Sequence, residues 1–382
     1  MTTLYLIRHA EAEGNLYRRA QGQYDAALSP KGEKQLDALA ERFRTVPLDA
    51  LYSSDLRRTQ RTAGAITKYH ALPLHLEPRL REMALGVWED RPFGDLAYAE
   101  PEMMDAFNND PAAWHAEGAE GFLSLQRRML EAVTEIAARH DGQSVAVVSH
   151  GMAIRALLAA ILAVPSREIY KIPHGDNTAV SRLRCEGGAF TVEQINDNSH
   201  LLTAGLSTLA RQDWWKEPGR VDLNNIRFQR LDPRKYPGLY TSCYEKTWRA
   251  VHGSLDGFQA PIYLDAAARH VAACPDALVT IVRPDDTVVG ITELDTERSR
   301  AEHTGWICLC YVEEDCRRAL LGVQLIGHAV SVFRRMGYKR ARLCVYEGNT
   351  DAIAFYTACQ FHTVGETSGS SGGRLFIMEK AL

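Results

Sequence analysis

The chain has 382 residues, enough for two domains, and 46% of them are hydrophobic, which is ample for two cores. Lysine and arginine total 44 against 48 acidic residues, and neither half is basic (22 basic and 27 acidic up to residue 200, 22 and 21 after it), which argues against partners such as nucleic acid or an anionic membrane. Because there is no transmembrane-length apolar run, no signal-peptide pattern and no CxxC pair among eight cysteines, we expect a cytoplasmic protein with reduced thiols.

The first half alternates predicted strands and helices. A strand at Leu4–Ile7 runs into Arg8 and His9, and a helix begins at Ser29-Pro30, with serine as cap and proline at its first position. The further predicted elements are a strand at Asp49–Ser53, a helix near Arg58–His70, a long helix at about Ala119–Arg139, a strand at Ser144–Ser149 and a helix at Gly151–Leu162. This alternation predicts an α/β domain with a mainly parallel sheet covered on both faces, whose ligands gather at the carboxyl ends of the strands.

The pattern breaks in the polar segment RQDWWKEPGRVDLNN, so we predict a first domain at residues 1–200, a linker at 201–224 and a second domain at 225–382. The predicted elements of the second domain are a strand near Ile226–Leu231, a hairpin of Ala277–Arg283 and Val288–Asp295, a strand at Thr304–Val312, a helix at Ala319–Met336, a strand at Arg340–Val345, a helix at Thr350–Ala358 and a final hairpin. Cys308 and Cys310 alternate along one of these strands, so we expect both on one face and no metal there.

Five segments of the first half carry residues suited to binding a phosphate. They are RHAEAEGN (8–15), QGQYDAALSPKG (21–32), SSDLRRTQRTA (53–63), LREMALGVWED (80–90) and SHG (149–151). Transfer of a phosphoryl group requires neutralisation of a dianion, and arginine supplies a planar fork of charged donors for it. Together the segments resemble the histidine phosphatase, or phosphoglycerate-mutase-like, family over residues 1–200. The resemblance implies a three-layer α/β domain.

The resemblance also assigns roles to residues of these segments. It implies that His9 is the nucleophile that forms a phosphohistidine, that Glu82 is the acid and that His150 donates to a phosphate oxygen. The arginines of the phosphate clamp would be Arg8 and Arg58, and the substrate-binding positions would be Asn15, Gln21, Gly22 and Gly151. No group of residues has metal-ligand spacing, so we expect metal-independent chemistry on a small phosphorylated metabolite.

Two reactions remain open for this domain. The interval between Glu82 and His150 holds PEMMDAFNNDPAAWHAEGAEG, which lacks the basic, tyrosine-rich stretch expected for binding phosphoglycerate. This favours phosphomonoester hydrolysis over mutase-type phosphoryl transfer.

The segments VEEDCRRALLGVQLI (312–326) and LCVYEGNTDAIAFYTACQF (343–361) resemble, in order and spacing, the GNAT family of N-acetyltransferases over residues 225–382. The resemblance implies an α/β (α+β) domain with a mixed, mostly antiparallel sheet, acetyl-CoA as cofactor and a small-molecule amine as acceptor. It places the cofactor against Val312, Arg317, Gly322, Val323 and Asn349, and makes Tyr356 the acid that protonates the departing thiolate.

Two residues depart from the GNAT pattern. Leu320 replaces the first glycine of R-x-x-G-x-G, and Gln360 also stands where the family has glycine. The loop can still present N–H groups if Leu320 has ordinary helical angles. The base for the acceptor amine stays open among Glu293, Glu313 and Glu314.

The sequence thus predicts a bifunctional enzyme, a phosphatase fused to an N-acetyltransferase. The alternative is a mutase-type enzyme fused to a domain that binds CoA without catalysis. The oligomeric state cannot be inferred from the sequence.

Overall fold

The computed structural model describes residues 1–209, 225–369 and 373–382, and the chain divides into two compact units. The first unit comprises residues 1–91 and 96–209, and the second comprises residues 92–95 and the described residues from 225 onwards. Most of the predicted linker, at 210–224, lies outside the described residues.

The sheet of the first unit has six strands. They are β1 (Thr2–Arg8), β2 (Ala50–Ser53), β3 (Leu74–Leu76), β4 (Ser144–Ser149), β5 (Val180–Glu186) and β6 (Ala189–Asp197). Their order is β3-β2-β4-β1-β5-β6, in which the first four are parallel and β5 and β6 are antiparallel. The predicted α/β class with a mainly parallel sheet is confirmed, whereas the antiparallel hairpin of β5 and β6 was not predicted.

The helices described between residues 1 and 209 belong to the first unit, except that α4 (Phe93–Ala99) begins in residues 92–95, which are part of the second unit. They are α1 (Glu13–Leu16), α2 (Pro30–Phe43), α3 (Arg57–Thr67), α4 (Phe93–Ala99), α5 (Pro101–Asn109), α6 (Phe122–Arg139), α7 (Gly151–Ile161) and α8 (Ser199–Leu202). The Ser29 hydroxyl caps α2 by accepting a 3.0 Å hydrogen bond from the Gly32 N–H, as its sequence predicts. Leu39 and Phe43 of α2 pack with Ile66 of α3 in the core.

Residues 201–209, which we predicted as the start of the linker, pack on the first unit. Thr208 is buried, and its backbone N–H and hydroxyl both donate to the Asp176 carboxylate. The Leu206 carbonyl accepts a hydrogen bond from the Gln35 amide. Because a buried carboxylate requires such donors, these residues belong to the fold of the first unit.

The second unit has a seven-stranded sheet and four helices. The strands are β7 (Arg227–Arg230), β8 (Leu278–Val282), β9 (Val288–Ser299), β10 (Thr304–Val312), β11 (Arg340–Tyr346), β12 (His362–Ser368) and β13 (Arg374–Ala381), and the helices are α9 (Pro237–His252), α10 (Ala260–Ala273), α11 (Leu321–Arg335) and α12 (Thr350–Ala358). The order is β12-β13-β11-β10-β9-β8-β7, and only β10 and β11 pair in parallel. The predicted mixed, mostly antiparallel sheet is confirmed. Among the helices of the described ranges, none has the length and apolar character to cross a bilayer.

Strand β10 departs from its partners at two points. Its pairing with β11 ends at Ile307, although both strands continue beyond that level, so a gap opens between them. Against β9 the register shifts between Ile307 and Leu309, which makes Cys308 a bulge residue. The expectation that Cys308 and Cys310 share a face is therefore wrong: Cys310 packs with Leu321 of α11, whereas Cys308 lies beside residues of α10 and β9.

Candidate functional site

The two predicted histidines meet at one edge of the first sheet. Strands β1 and β4 pair in parallel with Arg8 opposite Ser149, so the next residues, His9 and His150, leave the sheet side by side. Their ring centroids are 5.3 Å apart, and both side chains are buried. His9 Nδ1 lies 2.7 Å from the Ala10 carbonyl oxygen, which only accepts, so Nδ1 carries the proton and Nε2 keeps its lone pair.

The surroundings keep both rings neutral. Burial lowers the pKa of His9 well below 6.5, and the positive charges of Arg58 and Arg8 lower it further. Burial and then Arg58 do the same to the pKa of His150. A neutral His9 is the form that can act as a nucleophile.

The orientation of His150 is set by two hydroxyl groups. Its Nε2 atom lies 2.8 Å from the Ser54 hydroxyl, whose oxygen accepts from the Leu56 N–H, while Thr59 donates its own hydroxyl to a backbone carbonyl. Ser54 can donate to Nε2, which leaves the proton of His150 on Nδ1, or it can accept from Nε2 and donate to the Thr59 hydroxyl 3.0 Å away. That Nδ1 atom is buried and has no hydrogen-bond partner.

Two arginines provide further donors next to the histidines. Arg58 is buried, and its terminal nitrogens donate to the carbonyls of Tyr24 (2.8 Å) and Gly22 (2.7 Å). Arg8 donates to the Gly175 carbonyl, and its Nε atom lies where a side chain on Gly151 would press against it. The Nε atoms of Arg8 and Arg58 are both buried without a partner. Burial, as the main cause, lowers the pKa of Arg58 to about 10, so it stays charged at neutral pH.

The Glu82 carboxylate lies against the first turn of α7, the helix that begins directly after His150. It accepts hydrogen bonds from the backbone N–H groups of Met152 (3.0 Å) and Ala153 (2.9 Å). Burial lowers the pKa of both Arg8 and Arg58, and the negative charge of Glu82 partly offsets that effect on each, so the three groups are neighbours. The anion-attracting end of the helix thus orients the carboxylate.

The three remaining predicted substrate residues have different surroundings. Asn15 accepts from the Ala12 N–H at 3.1 Å, which closes the first turn of α1. Gln21 lies against Gly14, where only glycine leaves it room, and its side-chain oxygen is buried without a partner. Gly22 adopts a left-handed φ of 50° and presents its carbonyl to Arg58.

In the second unit, the loop between β10 and α11 has an unusual backbone. Leu320 has φ 61° and ψ 15°, so the condition of ordinary helical angles is not met. Arg318 is also left-handed, and Arg317 folds back so that its Nε donates to the Val312 carbonyl at 3.2 Å. No side chain caps the N-terminus of α11. Its backbone N–H groups remain available to an anion.

The first turn of α11 is held close to α12. Gly322 packs on the Phe355 ring, and Val323, the next residue, is partly buried. A side chain at position 322 would press against the Phe355 ring, so the contact favours glycine there.

The other predicted GNAT residues lie on or near α12. Asn349 is the N-cap of this helix and accepts from the Ala352 N–H at 3.1 Å. Tyr356 is hydrogen-bonded with the Cys310 thiol, and burial is the first cause that raises the pKa of Tyr356 well above 10. Gln360 has φ 70°, a conformation that favours glycine, and its side chain accepts from Lys380.

Of the three base candidates, Glu293 has the most constrained carboxylate. It is 2% exposed and accepts hydrogen bonds from the Tyr240 hydroxyl (2.8 Å) and from His270 Nδ1 (2.7 Å). Burial alone would lower the pKa of His270, but Glu293 and Asp295 together raise it. Glu313 is bound by Lys246 and Tyr311, and Glu314 lies exposed in a 3-10 turn.

The comparisons with known proteins agree with this geometry. Residues 4–198, half of the chain, match the family model described as the histidine phosphatase superfamily (branch 1). The chain belongs to this superfamily. Residues 240–361 match the model of the acetyltransferase (GNAT) family, so a GNAT domain follows the histidine phosphatase domain.

Individual relatives match the histidine phosphatase domain. The probable phosphoglycerate mutase GpmB of Enterobacter sp. (strain 638) is 33% identical over 216 residues, which cover 55% of this chain and all of that protein. The protein of the same description from Escherichia fergusonii is likewise 33% identical over 216 residues, with the same coverage. The solved structure of Bacillus stearothermophilus YhfR is 35% identical, with a TM-score of 0.51, and covers 53% of this chain and all of that one.

Several residues that support the histidine phosphatase site escaped the sequence analysis. Arg128 of α6 donates to the backbone carbonyls of Arg81 (2.7 Å) and Glu82 (2.9 Å). Asn177 donates to the His9 carbonyl at 3.0 Å, and the Thr62 hydroxyl accepts from the Ala10 N–H. Arg128 and Asn177 lie outside the five segments. Thr62 lies within the segment 53–63 but is not among the predicted site residues.

Proposed function

We propose that the histidine phosphatase domain hydrolyses phosphomonoesters through a phosphohistidine at His9. The observation that supports this most is the set of three buried nitrogen atoms without partners around His9, namely the Nε atoms of Arg8 and Arg58, which are donors, and Nδ1 of His150. Buried polar atoms of this kind are costly unless a ligand satisfies them. A phosphate, with several acceptor oxygens and two negative charges, meets that requirement.

The chemical steps follow from the positions of the groups. His9 Nε2 forms a bond to phosphorus while the bond from phosphorus to the ester oxygen breaks, and Glu82 gives that oxygen its proton. The arginines and His150 donate to the equatorial oxygens, where charge spreads in the transition state. Glu82 then takes a proton from water, which attacks phosphorus and releases phosphate and neutral His9. No step uses a metal.

Hydrolysis of a chromogenic aryl phosphate tests this proposal. We expect the His9→Ala variant to lose essentially all turnover, while His115→Ala, a change at an exposed histidine of the same domain, keeps it. We also expect full activity in the presence of a chelator. If the His9→Ala variant hydrolysed the aryl phosphate as fast as the unaltered protein, His9 would not be the nucleophile.

Mutase-type transfer is the second candidate, because relatives are described as probable phosphoglycerate mutases. The segment between Arg91 and Arg127 contains no lysine or arginine, so it offers no cation for the carboxylate of a phosphoglycerate. We therefore expect 3-phosphoglycerate, if it reacts, to release inorganic phosphate. Accumulation of 2-phosphoglycerate without phosphate release would establish the mutase instead.

We further propose that the GNAT domain transfers an acetyl group from acetyl-CoA to a small amine. The gap between β10 and β11 beyond Ile307 and the uncapped N-terminus of α11 are the features that support it. The pyrophosphate would lie on the N–H groups of the loop from Arg317 to Val323, with the chain of the cofactor beside Val312 and Asn349. Acetyl-CoA supplies the activated acetyl group, and Tyr356 donates the proton that the thiolate needs.

A thiol-release assay with acetyl-CoA and a panel of primary amines tests the acetyl transfer. We expect Tyr356→Phe to lower kcat by about 100-fold, the scale of a general acid, while leaving acetyl-CoA binding intact in calorimetry. Tyr236→Phe, at a half-exposed tyrosine, is the matched control. Binding of acetyl-CoA without thiol release from any amine would favour the non-catalytic CoA-binding domain.

A further inference from the structure

Three side chains with metal-ligand chemistry meet in the second unit, outside the residues assigned above to acetyl-CoA. They are His270 of α10, Asp295 of β9 and Cys308 of β10, and one donor atom of each lies within 4.8 Å of the others. The bulge at Cys308 turns its side chain toward α10, which brings the thiol to the other two groups. Within the described ranges, these are the histidine, cysteine and acidic side chains that lie close enough together, as a group of at least three, to share one ion.

The separation of two of the donors suits a tetrahedral ion. His270 Nε2 and Asp295 Oδ2 are 3.3 Å apart. Two ligands that each bind Zn²⁺ at about 2.0 Å with tetrahedral geometry are separated by about 3.3 Å. A thiolate bound at about 2.3 Å would lie about 3.5 Å from each of these two atoms. The present separations of the sulfur atom from them are within 4.8 Å.

A second layer of hydrogen bonds already orients the histidine. Glu293 accepts the Nδ1 hydrogen of His270 at 2.7 Å and is itself held by the Tyr240 hydroxyl at 2.8 Å. A carboxylate that binds one ring nitrogen directs the other nitrogen to the metal in protein zinc sites. The buried Glu293 thus points His270 Nε2 at Asp295 and Cys308.

Cys308 can be reached by an ion from solution. The residue is solvent-exposed, and the carboxylates of Glu293 and Asp295 lie near its thiol. A divalent cation placed between these groups reverses the local charge and binds the thiol as thiolate, releasing its proton to solvent.

We propose that His270, Asp295 and Cys308 bind one Zn²⁺-type ion, with Glu293 as the positioning residue. Three protein ligands leave a fourth position open, as in zinc sites that bind water or a substrate group. The site lies where β10 separates from β11, and it goes beyond the proposed acetyl transfer because it requires no acetyl-CoA.

Cobalt(II) absorption of the full-length, tag-free, chelator-treated protein tests the site, because thiolate ligation gives a charge-transfer band in the near ultraviolet. We expect one equivalent of Co²⁺ to produce the band and Zn²⁺ to abolish it by displacement. Cys308→Ser should remove the band, whereas Cys344→Ser, at a partly buried cysteine of β11, should keep it. Glu293→Gln should weaken Co²⁺ binding by about 10- to 100-fold.

Circular dichroism shows whether each variant is folded, and Asp295→Asn gives a second route if Cys308→Ser is not. In the Asp295→Asn variant, at least tenfold more Co²⁺ should be needed to produce the band. Tenfold is the lower end of the loss in metal affinity when a residue that supports a ligand is changed, and Asp295 is itself a proposed ligand. Absence of the band in the unaltered protein, or a band that survives Cys308→Ser, would show that the three residues form only an ion-pair network.

Discussion

The guanidinium of Arg128 lies 2.9 Å from the backbone carbonyl oxygen of Glu82. The same side chain also binds the carbonyls of Arg79 and Arg81, and the Glu120 carboxylate binds it in turn. One residue of α6 thus fixes three carbonyl groups of the segment that carries the proposed acid. The position of the Glu82 carboxylate thus depends on a side chain of α6 whose positive charge also acts on His150.

We expect Arg128→Lys to lower kcat for aryl phosphate hydrolysis by about 10- to 100-fold, because lysine keeps the charge but loses the planar fork and displaces Glu82. The KM should change less. The neighbouring, exposed Arg127→Lys is the control and should retain kcat. An Arg128→Lys variant with unchanged kcat would show that the segment needs no support from α6.

Acid should destabilise the histidine phosphatase domain in a defined pH range. Burial, the largest cause in each case, lowers the pKa of His200 to about 4, and lowers those of His9, His150 and His174 well below 6.5. In the unfolded chain these groups titrate near 6.5, so below that pH the unfolded state binds more protons than the folded state. The contribution of these histidines to the free energy of unfolding should therefore be fully present above about pH 6.5. The free energy of unfolding should fall as the pH drops below that value.

Urea unfolding at pH 7.5, 6.5 and 5.5 measures this dependence. In the His200→Gln variant the free energy of unfolding should decline less steeply with falling pH, because one titrating group is removed. In the His115→Gln variant, changed at an exposed histidine, the decline should be as steep as in the unaltered protein. Equal unfolding free energies of the unaltered protein at pH 7.5 and 5.5 would contradict the prediction.

Leu320 should be a source of strain in the GNAT domain. Its left-handed φ of 61° costs a leucine about 1–2 kcal/mol, whereas glycine adopts that conformation freely. We expect Leu320→Gly to raise the unfolding temperature of this domain. Leu320→Ala, which removes the same partly exposed side chain but keeps the Cβ, is the matched control and should bring no gain. If the alanine variant is as stable as the glycine variant, the backbone at this position is not strained.

The sequence was most informative where function depends on residues next to a strand end. His9 and His150 follow directly after β1 and β4, so recognising two parallel strands was enough to predict that they meet. The partners of these residues were harder to find. Arg128 and Asn177 reach the site with long or distant side chains, and nothing in their local sequence distinguishes them from surface polar residues.

Backbone irregularities also lay beyond the sequence. Alternation predicts that Cys308 and Cys310 share a face, and a single bulge residue reverses this without a glycine or proline to indicate it. The left-handed angle of Leu320 was hidden for the same reason, because a leucine before a helix favours helical angles. The hairpin of β5 and β6 was missed although Gly187 and Gly188 form its turn.

The central strand of the first sheet has a consequence for biosynthesis. Leu4 hydrogen-bonds in register with Val145 on one side and Leu183 on the other, so β1 leaves the ribosome long before either partner exists. The nascent chain must carry this apolar strand unpaired until most of the domain has been translated, a situation that slows folding and exposes an edge to aggregation. The residue proposed to do the chemistry is thus made before most of its domain, and its surroundings are completed only with the last strands of that domain.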